Sequence, residues 1–255
     1  MDDPLLKSLS PRDECSLSLT GPLGSEMVKS FHRCTYCIEL HLCPFFTLPQ
    51  FNEFRIVQAS TGLLISGESA LFFFDRTPCN DSVLELYVHH DYAIAIHDFL
   101  IKIGYTLHPR WGTKFADINK TLSDMMHGLQ DAFPSRQPPH FSDPGILGVF
   151  PYRNDSGVTI EVMTTLFCPL QAVLNFPATC LMNVITYAHA ISLYPHATFI
   201  DRVAFRSASW SEADVVRRAK YQQLGWQMLT CTDAMKHPEF CDQRIGDRFT
   251  WVIPL

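Results

Sequence analysis

Two short stretches in this chain carry residue types that could handle a phosphate and a divalent cation. The first is Ser66-Gly67-Glu68-Ser69 and the second is Ser82-Val83-Leu84-Glu85-Leu86, both inside SGESALFFFDRTPCNDSVLELYV, residues 66–88. A glycine at a turn lets backbone approach a phosphate where a Cβ would block it. A helix beginning there presents unpaired N–H groups and the positive end of its dipole to the anion. Acids at positions i and i+2 of a strand share one face and can hold Mg²⁺ or Mn²⁺ there. Two such ions activate an attacking oxygen and neutralise a leaving pyrophosphate. Glu85 supplies one of these acids, but the position two residues earlier is Val83, which cannot ligate a cation. Glu68 places an anion where a triphosphate would sit. It is equally an ordinary first-turn glutamate, stabilising its helix by roughly 0.3–1 kcal/mol.

A third carboxylate is available from TIEVMTT, where Glu161 lies between Ile160 and Val162. It reads either as a metal ligand from a neighbouring strand or as the outward residue of a half-exposed one. Asp81 is two residues from Val83 and could substitute for the missing acid if the backbone near Asn80 is irregular. The candidate metal and catalytic set is therefore Glu85, Glu161 and Asp81, with Gly67, Ser69 and Ser82 as the phosphate-side residues. A thousandfold loss of rate corresponds to only about 4 kcal/mol of transition-state stabilisation, which a missing central ligand can account for.

The elements that must position these residues follow from pattern. FNEFRIVQAS puts Phe51, Phe54, Val57 and Ile56 toward one side of a helix, broken at Thr61-Gly62. Leu63-Leu64-Ile65 reads as a buried strand. Ser66 is an N-cap for the helix SALFFFDR, which must stop before Pro78. Its run Phe72-Phe73-Phe74 predicts burial on most sides, not a platform for bases. Residues 83–88 form a second strand. His90–Ile103 is an amphipathic helix with Ile94, His97, Leu100 and Ile101 in register, ended by Gly104. GILGVFPY and GVTIEVMTT are strands joined by a turn at 153–157. Helices are expected at Leu170–Phe176, Thr179–His189 and across SEADVVRRAKYQQLGW, with FTWVIPL a terminal strand. Residues 111–144 read as a long excursion with one helical piece at Leu122–Leu129.

This strand, glycine turn, helix and acid-bearing strand resemble the DNA polymerase β-type nucleotidyltransferase outline. More closely, the chain is similar to a group of basidiomycete proteins with a nucleotidyltransferase-like domain, often preceded by an F-box. The similarity is carried by HLCPFFTLPQFNEFRIVQASTGLLISGESALFFFDR, DSVLELYV, GILGVFPY, FPATCLMNVITYAHAISLYPHATFIDR, YQQLGWQM and IGDRFTWVIPL, from about residue 39 onward. The resemblance implies an α+β fold: a short mixed sheet flanked by helices, with a C-terminal helical extension. It also implies a nucleoside triphosphate with Mg²⁺ or Mn²⁺ as ligands. Its members read Ser-Gly-Ser at the turn and Asp-Ser-Asp-Leu-Asp-Leu-Tyr-Val on the strand. Glu68, Val83 and Glu85 depart from that pattern, which implies a degenerate, weak or inactive member serving as a binding or regulatory module. An active Mg²⁺- or Mn²⁺-dependent transferase is the alternative.

SLSPRDECSLSLTGPLGSEMVKSF is similar to the second half of an F-box, which implies the adaptor subunit of a ubiquitin ligase as partner. The expected organisation is a helical N-terminal segment over 1–50, the α+β domain over 51–200, and a C-terminal helix and strand over 201–255 packed on it.

Cys34, Cys37, His41 and Cys43 form C-x2-C-x3-H-x-C, four ligands of zinc type in a short span. The spacing between His41 and Cys43 is tight, so buried thiols are the competing reading. Cys168, Cys180 and Cys231 read as core, His89 and His90 as surface residues capping a helix start, and His189 and His196 as structural. Net charge is −6 with pI ≈ 6.0, which gives no overall basic field for nucleic acid. No apolar run approaches the ~20 residues of a membrane span. Nine cysteines without a secretory signal favour free thiols and an intracellular setting, cytoplasmic or nuclear. The expected partner is another protein, with nucleotide as a second ligand.

Overall fold

The computed structural model describes residues 6, 8–77, 83–108, 118, 120–124, 145–205, 215–230, 237, 239 and 249–255. Asp81, Ser82, Cys231 and most of the 111–144 excursion lie outside the described residues; within the excursion, 118 and 120–124 are helical and Leu122 is buried.

The helices that lead in include α1 (Pro11–Ser18), α2 (Pro22–Thr35), α3 (Ile38–Leu42) and α4 (Leu48–Thr61). Helix α4 starts with a capping box, Thr47 and Gln50 satisfying each other's backbone N–H, and Pro49 falls in its first turn. It ends at Gly62 in the left-handed region (φ 66), where glycine is free of Cβ strain. Its buried face is Phe51, Phe54, Gln58 and Thr61, while Ile56 is exposed, correcting the expected stripe. Phe54 stacks on Phe46 at 4.7 Å and lies 6.1 Å from Phe99.

Strand β1 (Leu64–Ser66) feeds α5 (Gly67–Asp75), and β2 (Leu84–His89) returns antiparallel to β1. After a 3₁₀ turn at His90–Tyr92, α6 (Ala93–Lys102) buries Ala93, Ile96, Phe99 and Leu100. Ile101 is 45% exposed, so the apolar stripe runs one position off the expected one. Then come β3 (Thr106–Leu107), β4 (Ile146–Arg153) and β5 (Thr159–Thr165). The β4–β5 turn forms where the sequence predicts it: Asn154 Oδ1 accepts from the Val158 N–H, and Gly157 takes φ +84.

Past α7 (Pro169–Leu174) the expected helix over Thr179–His189 is absent. A 3₁₀ turn at Thr179–Leu181 leads into a hairpin, β6 (Asn183–Ile185) and β7 (His189–Ser192). The β-branched run Val184-Ile185-Thr186 suits a pleated, buried surface better than a helix. A polar clamp holds this hairpin to α4: buried Gln58 Nε2 donates to Ile185 O (3.0 Å), and nearer the surface Arg55 donates to Gln58 Oε1 and Tyr187 O.

A π-helical turn (His196–Ile200), β8 (Val203–Phe205), α8 (Val215–Gln223), β9 (Gln227–Leu229) and β10 (Trp251–Pro254) complete the described chain. The main sheet has eight strands in order β10-β7-β6-β1-β2-β5-β4-β3, with β2–β5 parallel and the other pairs antiparallel. Strands β8 and β9 form a separate parallel pair. The fold is thus mixed α+β, but the sheet is broader than expected. The C-terminal part contributes strands as well as one described helix.

Candidate functional site

The two stretches singled out in the sequence meet at the centre of the sheet. Ser66 and Glu85 are register partners on β1 and β2, and Glu85 and Glu161 are register partners on β2 and β5. Directly paired residues of adjacent strands share a face, so the two glutamates rise side by side, each half-buried. Val83 lies just before the strand begins. Tyr87, two residues on, donates its hydroxyl to Glu85 Oε2 at 3.0 Å. Tyr87 packs in turn with Met163 and Ala172, the latter on α7, which floors this face of the sheet.

Gly67 opens α5 with φ 66, and a Cβ built there would stand 1.9 Å from Glu85 Oε2 and 2.6 Å from its Cδ. The glycine is therefore needed twice, for its backbone conformation and for the carboxylate lying against it. That carboxylate occupies the start of the helix, where unpaired N–H groups and the dipole favour an anion. Ser66 holds the N-cap position but makes no cap. Its hydroxyl donates to Asn183 O instead, tying β1 to β6.

Glu68 is turned onto α8. Lys220 Nζ lies 2.6 Å from its Oε2, and the Tyr221 hydroxyl donates to Oε1 at 3.0 Å. Tyr221 is buried, and burial together with the Glu68 charge pushes its phenol well above the usual range, so it remains a donor. Ser69 is fully buried, its Oγ 3.1 Å from His41 Nε2. Burial lowers the His41 pKa to about 4 against the opposing hydrogen bond, leaving the ring neutral. Its partner face is Phe73, 5.2 Å away. Of the six residues expected to form the site, the fold brings Glu85 against Gly67 at the start of α5 and sets Glu161 beside Glu85 on the next strand. Ser69 lies two residues into the helix, committed to His41, and Asp81 and Ser82 lie outside the described residues.

The C-x2-C-x3-H-x-C stretch does not form a zinc centre among the described residues. His41 is committed to Ser69, and no group of three ligands is gathered there. Nor are its thiols buried: Cys34 and Cys43 are exposed and Cys37 half-buried. Cys168 is exposed too, because it precedes α7 at the surface, while Cys180 is buried as expected and its thiol is pushed up to about 12, chiefly by burial. His89 caps the turn after β2, accepting weakly from the Asp91 N–H at 3.4 Å. Sequence reading missed the partners of Glu68 and the role of His41. Lys220 and Tyr221 lie more than 150 residues from Glu68, and no local pattern announces such a contact.

Comparison with protein-family models, with curated proteins and with solved structures finds no match. No helix among the described residues is long and apolar enough to cross a membrane.

Proposed function

We propose that this chain is a degenerate nucleotidyltransferase-type module that acts by binding another protein, its phosphate cradle taken up by its own Glu85 carboxylate. The observation that carries this reading is the contact of Glu85 with Gly67 at the start of α5. A triphosphate seated there would have to displace one anion and approach a second at Glu161. The antiparallel β1–β2 pair, the glycine turn between them and an acid on the parallel neighbour β5 support the family outline. Val83 removes the acid that would make the carboxylate set sufficient for two hard cations. On this reading the exposed leucines Leu19, Leu23 and Leu40 of the N-terminal segment are the apolar surface offered to the partner.

A second reading, an active Mg²⁺- or Mn²⁺-dependent transferase, is favoured by one feature, the side-by-side placement of Glu85 and Glu161. The F-box-type receptor reading rests on Leu19 and Leu23 in the same way, and loss of adaptor capture in a Leu19→Glu/Leu23→Glu variant is its test.

Thermal unfolding with nucleoside triphosphates, with and without Mn²⁺, separates the first two. A ligand at 100 times its Kd adds about 2.7 kcal/mol, which is about 5–10 °C in a chain of this size. The expected result is no shift in the wild type, and a metal-independent shift in Glu85→Ser, where the helix start is freed. A metal-dependent shift in the wild type that Glu85→Gln abolishes would establish the enzyme reading instead.

A further inference from the structure

Away from the sheet centre, His196, Asp201 and His237 bring three ligand atoms within 4.8 Å of one another. His196 Nδ1 lies 3.0 Å and His237 Nε2 2.9 Å from the same oxygen, Asp201 Oδ2. For ligands at 2.0–2.1 Å in a tetrahedral shell, neighbouring donor atoms are about 3.3 Å apart. The two nitrogen–oxygen separations need to open by only a few tenths of an ångström to admit an ion. Two imidazoles and one carboxylate are a donor set for a borderline divalent cation, not for Mg²⁺ or Ca²⁺.

The surroundings hold these donors in place. The buried Glu239 carboxylate accepts from the backbone N–H groups of His196 (2.9 Å) and Ala197 (2.7 Å), fixing the start of the π-helical turn. Its own backbone N–H reaches His237 Nδ1 at 3.2 Å. Asp201 and Glu239 together give the spot two carboxylates, only one of which is saturated by backbone donors. His196 is 49% and Asp201 39% exposed, so an ion has an open approach, while His237 at 14% anchors the inner side.

We infer that His196 Nδ1, Asp201 Oδ2 and His237 Nε2 form a site for a zinc-class divalent cation, completed by solvent. Binding needs the lone pair of His237 Nε2, so the ring proton moves to Nδ1 and the contact from the Glu239 N–H is given up. That contact, at 3.2 Å, is the longest in the cluster and the one most readily exchanged for a metal bond. A bound ion would link His237 to the 196–201 turn. The site is separate from Glu85 and Glu161 and stands whatever their role.

The test is calorimetric titration of the chelator-treated full chain with Zn²⁺, with Co²⁺ as a spectroscopic reporter. Asp201→Asn, His196→Gln and His237→Gln are compared with a Cys34→Ser/Cys37→Ser/Cys43→Ser control. His196→Gln alters an exposed side chain, so it keeps the test valid if another variant unfolds. One equivalent bound by wild type and cysteine control, and weakened roughly tenfold or more in the cluster variants, is expected; even an outer-shell partner counts on that scale. Co²⁺ should show nitrogen–oxygen coordination without a thiolate charge-transfer band. Absent binding, binding that survives His196→Gln, or binding lost only in the cysteine control would overturn the assignment.

Discussion

Replacing Gly67 by alanine tests whether Glu85 fills the start of α5. Two penalties are expected, and the fold supplies a way to separate them. The first is backbone strain, since a left-handed residue with a Cβ is disfavoured by roughly 1–2 kcal/mol. Gly62 has the same φ of +66 with no atom within 4 Å of its would-be Cβ, so Gly62→Ala measures this penalty alone. The second is the collision with Glu85 Oε2, which would lie 1.9 Å from the new methyl group. The carboxylate is the far end of a flexible side chain and will swing aside, but it then loses the Tyr87 hydroxyl. A hydrogen bond to a charged group contributes about 1.5–3 kcal/mol. Gly67→Ala should therefore destabilise by roughly 2.5–5 kcal/mol, against roughly 1–2 kcal/mol for Gly62→Ala. In a Glu85→Ala background the collision is gone, and Gly67→Ala should fall to the Gly62→Ala value. Urea unfolding of the wild type, the three single variants and the Gly67→Ala/Glu85→Ala double variant gives the coupling directly. A coupling below about 0.5 kcal/mol, the scale at which independent sites already scatter, would refute the claim that the carboxylate occupies this cradle.

Two further outcomes follow from buried titratable groups. His41 is depressed from 6.5 to about 4 in the fold, so the unfolded chain binds the extra proton in that window. Its contribution is complete above pH 6.5 and is lost as pH falls toward 4, by up to about 3 kcal/mol; urea midpoints at pH 7, 5.5 and 4.5 should fall less steeply in His41→Gln, and equal slopes would contradict its burial as a neutral ring. Cys180, with its thiol pushed up to about 12, should resist iodoacetamide at neutral pH until the chain unfolds, while exposed Cys34, Cys43 and Cys168 react in the native state; early labelling of Cys180 by peptide mapping would count against the packing described.

The elements flanking the site were legible because each carries its own local signal. The Gly62 stop, the Asn154–Gly157 turn and the alternation of TIEVMTT state their geometry within a few residues. The hairpin at β6–β7 was not legible in the same way. Over Asn183–Ser192 a short apolar run suits a buried strand and a helix alike; the β-branched Val184-Ile185-Thr186 leans toward strand, and pairing with β1 and β10 settles it. The stripe on α6 was misplaced by one position because His97 looks core-like by spacing. It finds its place through a hydrogen bond to Tyr152, 55 residues away.

The chemistry divides along the same line. That Glu85 and Glu161 are acids on strands is local information; that they are neighbours follows from the parallel β2–β5 register. Glu68 shows how far a local reading can mislead. In sequence it is an anion placed against a phosphate. In the fold, both of its oxygens are engaged by Lys220 and Tyr221, so its charge is directed away from the helix start. What stands at that start is Glu85, reaching across from the next strand. If Glu85 holds the cradle, restoring an acid at Val83 alone should not restore nucleotide binding, because the added charge would stand beside an anion site already filled. Replacing Glu85 by serine frees that site, and a Val83→Asp/Glu85→Ser variant should bind triphosphate where Val83→Asp does not. The converse result, binding gained by Val83→Asp with Glu85 intact, would make Glu85 a metal ligand in waiting and the missing acid the whole of the defect.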